Sequence, residues 1–262
     1  MDKLIIMGIL NVTPDSFSDG GRYQSGDDAF KRAEEMISEG VNIIDVGGYS
    51  TRPGHTEITE EEELSRVIPV IEKLSTLDIE ISIDTFRSNV AEQAIRAGAT
   101  MINDQWRGTY DERILDVAAK FDVPIFLMHN NTHGKYQDVV TDMIGELKES
   151  VSLAERHGVK HENIWLDPGI GFAKNRNEEM EIIKRLDELV NVGYPVLLAV
   201  SRKRMIKDMI DDETTAEERD EATAAVTLYG MEKGIRAVRV HNIALNRKLA
   251  DSYMKLKGDV DG

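Results

Sequence analysis

The chain alternates between short apolar runs and longer amphipathic segments along its whole length. Eight runs are rich in Val, Ile and Leu. Most of them are too continuously apolar for strands with one face in water, so they predict parallel strands buried on both faces. In chain order they are residues 4–11 (LIIMGILN), 42–48 (NIIDVGG), 80–85 (EISIDT), 101–105 (MINDQ), 124–129 (PIFLMH), 164–169 (IWLDPG), 195–200 (PVLLAV) and 237–242 (AVRVHN).

The segments between these runs carry apolar residues at helical spacing. RSNVAEQAIRAG (87–98) predicts a helix with Ser88 as its N-cap and Gly98 as its terminator. DDAFKRAEEMISEG (27–40) predicts a helix that ends at Gly40 and has one apolar face, formed by Ala29, Phe30, Ala33, Met36 and Ile37. Further helices are predicted near 60–76, 111–120, 138–157, 177–190, 221–233 and 244–256.

Eight strand and helix pairs predict a single-domain α/β fold over residues 1–262, a TIM (β/α)8 barrel whose active site lies at the carboxyl ends of the strands. A doubly wound open sheet would show a similar alternation, and the count of eight favours the barrel. Loops at about 11–25 and 48–60 are predicted to be mobile. The acidic stretch 208–221 predicts a mobile loop or a solvated helix end.

Composition restricts the cellular location and the classes of partner that we expect. The chain has 262 residues, 41% of them hydrophobic, which is enough for a sizeable core. It has no Cys, no leader sequence and no apolar run near the roughly 18 residues of a membrane helix, so we expect a cytoplasmic protein without a membrane partner. Its net charge of −16 disfavours binding to nucleic acid. An anionic small molecule would need a local cluster of basic side chains.

Polar residues end most of the predicted strands, and a barrel would bring them to one mouth. Asp84, Asn103 and Asp167 offer acceptors, and a carboxylate that faces the adjacent N–H donors of a 2-amino-4-oxo heterocycle accepts two hydrogen bonds at once. A strand-end Asp often caps the next helix, so a structural role stays open for Asp84 and Asp104. The other polar residues at strand ends are Asn11, Asp45 and His129, and a structural role is the favoured interpretation of His129.

Basic residues cluster on the last two predicted strands and their loops. Lys203, Arg239 and His241 stand where barrels often bind phosphate, and Arg52 in the loop after the second strand could join them. Arg239 and His241 are two residues apart, so their side chains share one face of the strand. The strand ends therefore favour a ligand with a nitrogen heterocycle at one end and phosphate at the other.

Seven motifs, in order along the chain, closely resemble the dihydropteroate synthases of folate biosynthesis, in their Gram-positive bacterial form. They are GILNVTPDSFSDGG, DVGGYSTRPG, SIDTFRS, INDQW, WLDPGIGFAK, SRKR and RVHN. The resemblance covers nearly the whole chain. It implies a transferase that joins p-aminobenzoate to 6-hydroxymethyl-7,8-dihydropterin diphosphate, releasing pyrophosphate and giving 7,8-dihydropteroate.

The resemblance also implies roles for individual residues. Asp84, Asn103, Asp167 and Lys203 would hold the pterin, while Arg239, His241, Asn11 and Arg52 would hold the diphosphate. Asn11 would also bind Mg²⁺, the implied cofactor. Departure of pyrophosphate would leave a cationic methylene stabilised by Asp84, so the implied mechanism is dissociative, with Asp84, Lys203, Arg239 and His241 as the catalytic set.

The loops of these motifs imply the p-aminobenzoate pocket and a lid over the diphosphate. Phe17, Thr51 and Pro53 would line the aromatic ring, and Phe172 would add a wall. Two positions depart from the family pattern, since many members carry Glu at the place of Tyr49 and Ser at the place of Arg204. Arg204 would alter how the p-aminobenzoate carboxylate is held. The resemblance further implies a homodimer, with the last helices as the interface.

Two other functions fit the same barrel. A pterin-dependent methyltransferase would bind a reduced folate but would not need the diphosphate cluster of Arg52, Arg239 and His241. A catalytically silent pterin-binding barrel would carry damaged loops, whereas both loops and Lys203 are intact in this sequence.

Overall fold

The computed structural model describes residues 3–12, 22–49, 57–210 and 214–258, except for the side chains of residues 22–25. Eight parallel strands form one sheet in the order β6-β5-β4-β3-β2-β1-β8-β7. The edges of this sheet meet, because Leu166 of β6 pairs with Val196 just before β7 and its N–H donates to the Pro195 carbonyl at 3.0 Å. The sheet is therefore a barrel, which confirms the predicted fold.

The strands alternate with helices along the chain. The strands are β1 (Ile5–Asn11), β2 (Ile43–Gly47), β3 (Glu80–Asp84), β4 (Met101–Asp104), β5 (Ile125–Met128), β6 (Ile164–Asp167), β7 (Leu197–Leu198) and β8 (Ala237–Val240). The helices are α1 (Arg22–Ser38), α2 (Glu60–Leu74), α3 (Ser88–Ala97), α4 (Arg113–Phe121), α5 (Val139–Arg156), α6 (Arg176–Lys184), α7 (Leu186–Val190), α8 (Arg204–Met209), α9 (Asp220–Lys233) and α10 (Ile243–Lys257). None of the helices in the described ranges has the length and apolar character needed to cross a membrane.

The helices differ from the prediction at several points. The helix predicted near 177–190 is two helices, α6 and α7, separated at Arg185. α8 was not predicted, and α1 begins at Arg22, inside the loop predicted to extend to about residue 25. Asp220, at the end of the acidic stretch 208–221, is not solvated: it is buried and paired with Arg202, with Nε 2.8 Å from Oδ1.

Two side-chain predictions on helices were wrong. Ser88 is the first helical residue of α3 rather than its N-cap, and its backbone N–H donates to Asp111 Oδ2 at 3.0 Å. Ile37 is 36% exposed, whereas Ala29, Ala33 and Met36 of the same predicted face are buried. Gly40 and Gly98 do end their helices, with φ of +90° and +121°, a backbone region that Gly enters without a Cβ clash.

Inside the barrel, the side chains of β2, β4, β6 and β8 form an apolar layer and, two residues nearer the carboxyl ends of these strands, a polar layer. An inner cluster contains Met7, Ile43, Phe126, Leu197 and Ala237, packed with Ile5, Met101 and Trp165. Two residues further along their strands stand Asp45, Asn103, Asp167 and Arg239. Because every second residue of a strand points to the same side, the apolar layer closes the barrel floor and the polar layer lines the mouth.

Most of the hydrophobic core lies outside the barrel, between the strands and the helices. It includes Ile6, Ile44, Ile83 and Ile102 from the outward faces of strands, packed with buried helix residues such as Ile71. Each buried side chain of this size contributes about 1.5–3 kcal/mol relative to its exposed state. This layer fixes the strand register that positions the mouth.

Arg247 of α10 ties the opposite, amino-terminal end of the barrel. Its guanidinium donates to the carbonyls of Leu4 at 3.2 Å and Gly40 at 3.1 Å, and also to the side chain of Asn42. The Asn42 side-chain oxygen in turn accepts from the Ile6 N–H at 2.9 Å. One buried cation therefore satisfies acceptors that precede β1 and β2.

We expect Arg247→Met to destabilise the fold without changing catalysis. The variant leaves buried carbonyls unpaired, so the free energy of unfolding falls by about 2–4 kcal/mol. Urea denaturation measures the loss, and the matched control is Lys248→Met on the exposed side of the same helix, with an effect within about 0.5 kcal/mol. Equal stability of the two variants would contradict the role assigned to Arg247.

Candidate active site

Strand register places the polar side chains of the mouth side by side. Asn11 of β1 pairs with Gly47 of β2, Gly47 pairs with Asp84 of β3, and Asp84 pairs with Asn103 of β4. A Cβ at Gly47 would lie 3.4 Å from Asp84 Oδ2 and 3.6 Å from Asn11 Oδ1. Gly47 thus lets Asn11 and Asp84 approach each other across β2.

Arg239 stands between two carboxylates on neighbouring strands. Its Nε donates to Asp45 Oδ2 at 2.6 Å and its Nη2 donates to Asp84 Oδ2 at 2.8 Å. Asn103 Nδ2 donates to the same Asp45 oxygen at 3.1 Å, and the Gln105 amide donates to Asp84 Oδ1. The guanidinium therefore holds Asp45 and Asp84 in place, as well as contributing positive charge to the mouth.

Burial raises the pKa of Asp84, and Arg239 opposes the rise while the nearby Asp45 adds to it. Removing water from a carboxylate disfavours its charged form, whereas an adjacent guanidinium favours it. Asp45 is fully buried and Asp84 is nearly so. Two carboxylates that share one cation leave this part of the mouth negative, which suits a ligand that donates hydrogen bonds.

Asp167 and Lys203 form the second charged pair of the mouth. The Asp167 side chain accepts from the Gly169 N–H at 2.7 Å, the Lys203 ammonium donates to the Ile170 carbonyl, and Lys203 Nζ lies 4.9 Å from the centre of the Phe172 ring. Burial lowers the pKa of Lys203 to about 8, with Asp167 opposing the shift, and burial raises the pKa of Asp167. The end of β6, the loop that follows it and the loop after β7 therefore bring a carboxylate, an aromatic face and a cation together.

Lys174 lies at the end of the same loop and turns inward. Its ammonium donates to the carbonyls of Gly169 and Phe172 at 3.0 Å each, and its Nζ is 3.4 Å from the carbonyl of His129. Burial lowers the pKa of Lys174 to about 7, and Asp167 opposes the shift. A second cation therefore lies near Asp167, bound to the loop backbone.

His241 is held by Ser201. Its Nδ1 is 2.9 Å from Ser201 Oγ, and its backbone N–H donates to the same oxygen at 3.2 Å. Ser201 follows β7 and His241 follows β8, so this contact joins the loops after two adjacent strands. The imidazole is thereby fixed on the side of the mouth that carries Lys203 and Arg239.

The structure gives two of the other strand-end residues structural contacts. Asp104 accepts from the backbone N–H of Trp106 at 2.9 Å and of Gly108, so it caps the turn after β4. His129 is fully buried, and burial lowers its pKa to about 2, which keeps the ring neutral. Its Nε2 lies 3.4 Å from Glu146 Oε2, and neither ring nitrogen has a hydrogen-bond partner among the described residues.

The predicted site residues divide into two groups. The structure brings together Asn11, Asp84, Asn103, Asp167, Phe172, Lys203, Arg239 and His241 at the carboxyl ends of the strands and in the adjoining loops. Phe17, Thr51, Arg52 and Pro53 lie outside the described residues. Arg204 is the exposed first residue of α8, and Tyr49 packs edge-on against Phe86 with ring centres 5.4 Å apart.

Sequence reasoning missed the supporting residues of the site. Gln105 follows Asn103 by two positions, so strand alternation could have placed both on the inner face. Asp45 was noted only as a strand-end residue, although it is a partner of Arg239. Ser201 and Lys174 carried no sequence signal of their roles, because those roles depend on the folding of loops after β6 and β7.

The oxygen ligands available in the mouth suit a Mg²⁺ ion that binds together with a phosphate ligand. The described residues contain no group of three or more His, Cys, Asp or Glu side chains placed to hold a metal. Mg²⁺ commonly uses only one or two protein oxygens together with phosphate oxygens and water. The Asn11 amide oxygen, beside Asp84 at the rim, is suited to be such a ligand.

Comparisons with known proteins agree with this geometry. The sequence profile of the pterin binding enzyme family matches residues 7–241. The dihydropteroate synthase of Staphylococcus haemolyticus is 62% identical over 98% of this chain and 96% of its own length, and that of Bacillus subtilis is 48% identical over 98% and 91%.

Solved structures match as well. The dihydropteroate synthase of Clostridium difficile, crystallised in the presence of pteroic acid, superposes with a TM-score of 0.94 at 44% identity, covering 97% of each chain. The Xanthomonas albilineans enzyme in complex with 7,8-dihydropteroate gives 0.89 at 35% identity, covering 98% of this chain and 94% of that one. With the same fold and similarity along almost its whole length, this chain belongs to the pterin binding enzyme family and, within it, to the dihydropteroate synthases.

Proposed function

We propose that this enzyme joins p-aminobenzoate to 6-hydroxymethyl-7,8-dihydropterin diphosphate in the mouth described above, with Mg²⁺ bound beside the diphosphate. The observation that carries the proposal is the close grouping of acceptors and cations. Asp84, Asn103 and Asp167 share one mouth with Lys203 and Arg239. A heterocycle rich in donors and a diphosphate would each find a complementary side.

The pterin end would be recognised by hydrogen bonds in a buried setting. Asp167 would accept from the exocyclic amine side of the ring, and Asp84 and Asn103 would meet its other polar edge. Lys203 would donate to the ring while lying beside the Phe172 face, 4.9 Å from its centre. Such a site rejects ligands that lack the matching donors, because its buried acceptors would then lose their partners.

The diphosphate end would be held by Asn11, Arg52, His241 and Arg239. Arg239 already spans Asp45 and Asp84, so its charge would act on the diphosphate from a fixed position. His241 would donate a hydrogen bond from a ring fixed by Ser201. When bound, Mg²⁺ neutralises charge on the diphosphate oxygens.

The displacement would be dissociative. The bond between the pterin methylene carbon and the diphosphate oxygen breaks, and its electron pair leaves with pyrophosphate. The cationic methylene is conjugated with the ring and is stabilised by the Asp84 carboxylate. The amine of p-aminobenzoate then forms the C–N bond and releases its proton to water. A neutral aromatic amine needs no strong base, and the fully buried His129 is not placed to act as one.

We further propose that the p-aminobenzoate pocket includes Phe17, Thr51, Pro53 and Phe172, and that the protein is a cytoplasmic homodimer. Apolar side chains exposed on the last two helices support the dimer. Leu256 of α10 is 87% exposed and Tyr229 of α9 is 38% exposed. Sedimentation of the purified protein would show a mass of two chains if the proposal is correct.

The deciding experiment measures pyrophosphate release from the purified protein supplied with the pterin diphosphate and Mg²⁺, with and without p-aminobenzoate. Mass spectrometry follows 7,8-dihydropteroate. Release that matches product formation supports the proposal. Tight binding of the pterin without product, under conditions in which another dihydropteroate synthase is active, would contradict it.

Asp167→Asn should abolish pterin recognition with little change in the fold. The Asn oxygen still accepts from the Gly169 N–H, but the amide nitrogen replaces an acceptor for the pterin donors. Leaving buried polar groups mismatched costs roughly 3 kcal/mol, so kcat/KM for the pterin diphosphate falls by at least about a hundredfold.

The matched control for that variant is Asp122→Asn. Asp122 lies at the exposed end of α4 in a left-handed conformation, φ 56°, which Asn tolerates. Steady-state kinetics of the control should remain within about twofold of the native enzyme. A similar loss in both variants would argue against a specific role of Asp167.

The pH dependence of kcat/KM tests Lys203. The ammonium form donates to the pterin, and it is lost as pH rises through its pKa of about 8. Burial and the charge of Arg239 lower this pKa, and the charges of Asp167, Glu179 and Asp84 oppose them. We expect kcat/KM for the pterin diphosphate to fall above pH 8, approaching about tenfold per pH unit. In Lys203→Arg, which stays charged, the normalised profile should lack the fall that begins near pH 8, and only a fall that begins near pH 7, the pKa of Lys174, should remain. Parallel profiles would exclude Lys203 as its source.

Removal of metal distinguishes the requirements of the diphosphate from those of the pterin. EDTA should stop pyrophosphate release, while the affinity for pteroic acid, which has no diphosphate, stays unchanged. Asn11→Ala should raise the Mg²⁺ concentration for half-maximal rate by about fivefold, as expected for one lost oxygen ligand. An unchanged Mg²⁺ requirement in the variant would remove Asn11 from the metal site.

A further inference from the structure

The loop between β6 and α6, residues 168–175, has three residues with positive φ beside the mouth. Gly169, Gly171 and Ala173 have φ of +65°, +89° and +50°. Ala173 has a Cβ, and the left-handed region costs such a residue about 1–2 kcal/mol. A Cβ at Gly169 would lie 1.9 Å from the His129 carbonyl oxygen, so the loop passes directly against the end of β5. A loop of this shape needs a group that holds it.

Lys174 is that group. Its ammonium donates to the Gly169 and Phe172 carbonyls at 3.0 Å, and its Nζ is 3.4 Å from the His129 carbonyl, so one side chain binds both ends of the strained segment to the end of β5. Three acceptors match the three N–H donors of an ammonium. None of these contacts is with a carboxylate, so the side chain serves the backbone rather than an ion pair of its own.

The backbone that Lys174 holds carries the pterin-facing groups. Asp167 accepts from the Gly169 N–H, Lys203 donates to the Ile170 carbonyl, and Phe172 packs against the Lys203 ammonium. A shift of the loop would therefore move all three side chains together. Displacements of about 1 Å in such positioning elements are enough to reduce rates markedly.

We propose that Lys174 is a positioning residue for pterin recognition, tying the loop after β6 to the end of β5 so that Asp167, Phe172 and Lys203 face one ligand ring. The inference rests on the proposed function for its substrate, but its contacts are those of the protein alone. Lys174 also places a second positive charge near Asp167, and the electrostatic attraction between them favours the ionised carboxylate.

The test is Lys174→Met, which keeps the apolar stem and removes the donors. Titration calorimetry with pteroic acid, in the absence of Mg²⁺, should show affinity reduced by about tenfold or more, since hydrogen bonds from a charged donor are lost. In steady-state assays KM for the pterin diphosphate should rise by a similar factor, whereas KM for p-aminobenzoate should change less than about twofold. If Met prevents folding, Lys174→Gln replaces it in the same measurements.

Three further variants separate positioning from general stability. Lys174→Arg keeps a cation at the loop and should recover most of the pteroic acid affinity. Tyr136→Phe removes a neutral hydroxyl that donates to the Ala173 carbonyl at 3.0 Å, and it should have a smaller effect. Lys233→Met breaks an ion pair with Asp187 on distant helices and should leave the affinity unchanged.

The outcomes are distinct. Native pteroic acid affinity in Lys174→Met, or in Lys174→Gln where it replaces Met, or equal changes in the two KM values, would overturn the positioning role. Equal loss in Lys174→Met and Lys174→Arg would overturn the role of its charge. If the native protein binds pteroic acid but forms no dihydropteroate, the proposed function fails, while the calorimetric comparison of the Lys174 variants still decides this inference.

Discussion

Compensation of buried charge at the barrel mouth is the constraint on which the active site depends. Asp45, Asp84 and Asp167 are buried there, and Arg239, Lys203 and Lys174 lie among them. An isolated buried carboxylate would take up a proton or force the mouth open, because burial disfavours its charge. With cations placed between them, the carboxylates can remain hydrogen-bond acceptors for a ligand that donates hydrogen bonds.

The same compensation explains why the mouth divides into two sides. Arg239 is shared by two carboxylates, so the region around Asp45 and Asp84 keeps an excess of acceptors. Lys203 is paired with Asp167, lies beside the Phe172 ring and donates to a backbone carbonyl, so the other side combines an acceptor, a cation and an aromatic face for the pterin. A dissociative displacement uses charges of both signs: cations for the departing pyrophosphate and a carboxylate for the methylene cation left behind.

Rigid strands and a constrained loop share the task of holding these groups. Asn11, Asp84 and Asn103 are fixed by strand register, which the core between strands and helices sets. Asp167 and Lys203 depend instead on the loop after β6, whose positive φ angles are tolerated because Gly occupies two of the three positions and Lys174 binds the carbonyls. The strained backbone of this loop lets an aromatic ring and a cation lie next to a carboxylate on the pterin side. Strands alone would not place these groups so closely.

The sequence by itself determined the barrel and most of the residues of its mouth. Continuous apolar runs predicted all eight parallel strands, although the run 195–200 forms only the two-residue β7, preceded by an isolated bridge at Val196. Alternation placed Arg239 beside His241, and the motifs predicted Asp84, Asn103, Asp167 and Lys203. These signals are local, with periods of two or a few residues, and so they can be seen in one dimension.

Only the tertiary structure decided which groups touch. Arg239 and Asp45 are 194 residues apart in sequence and 2.6 Å apart in space. Lys174, Ser201 and Gln105 acquired roles only when loops from different strands met. Ser88 is not the predicted N-cap of α3, and its N–H donates to Asp111 from the loop after β4. The hydrophobic period and the residue propensities of the sequence determine where a strand ends. Closure of the barrel determines which strand ends are neighbours, and those neighbours set the charges of the site.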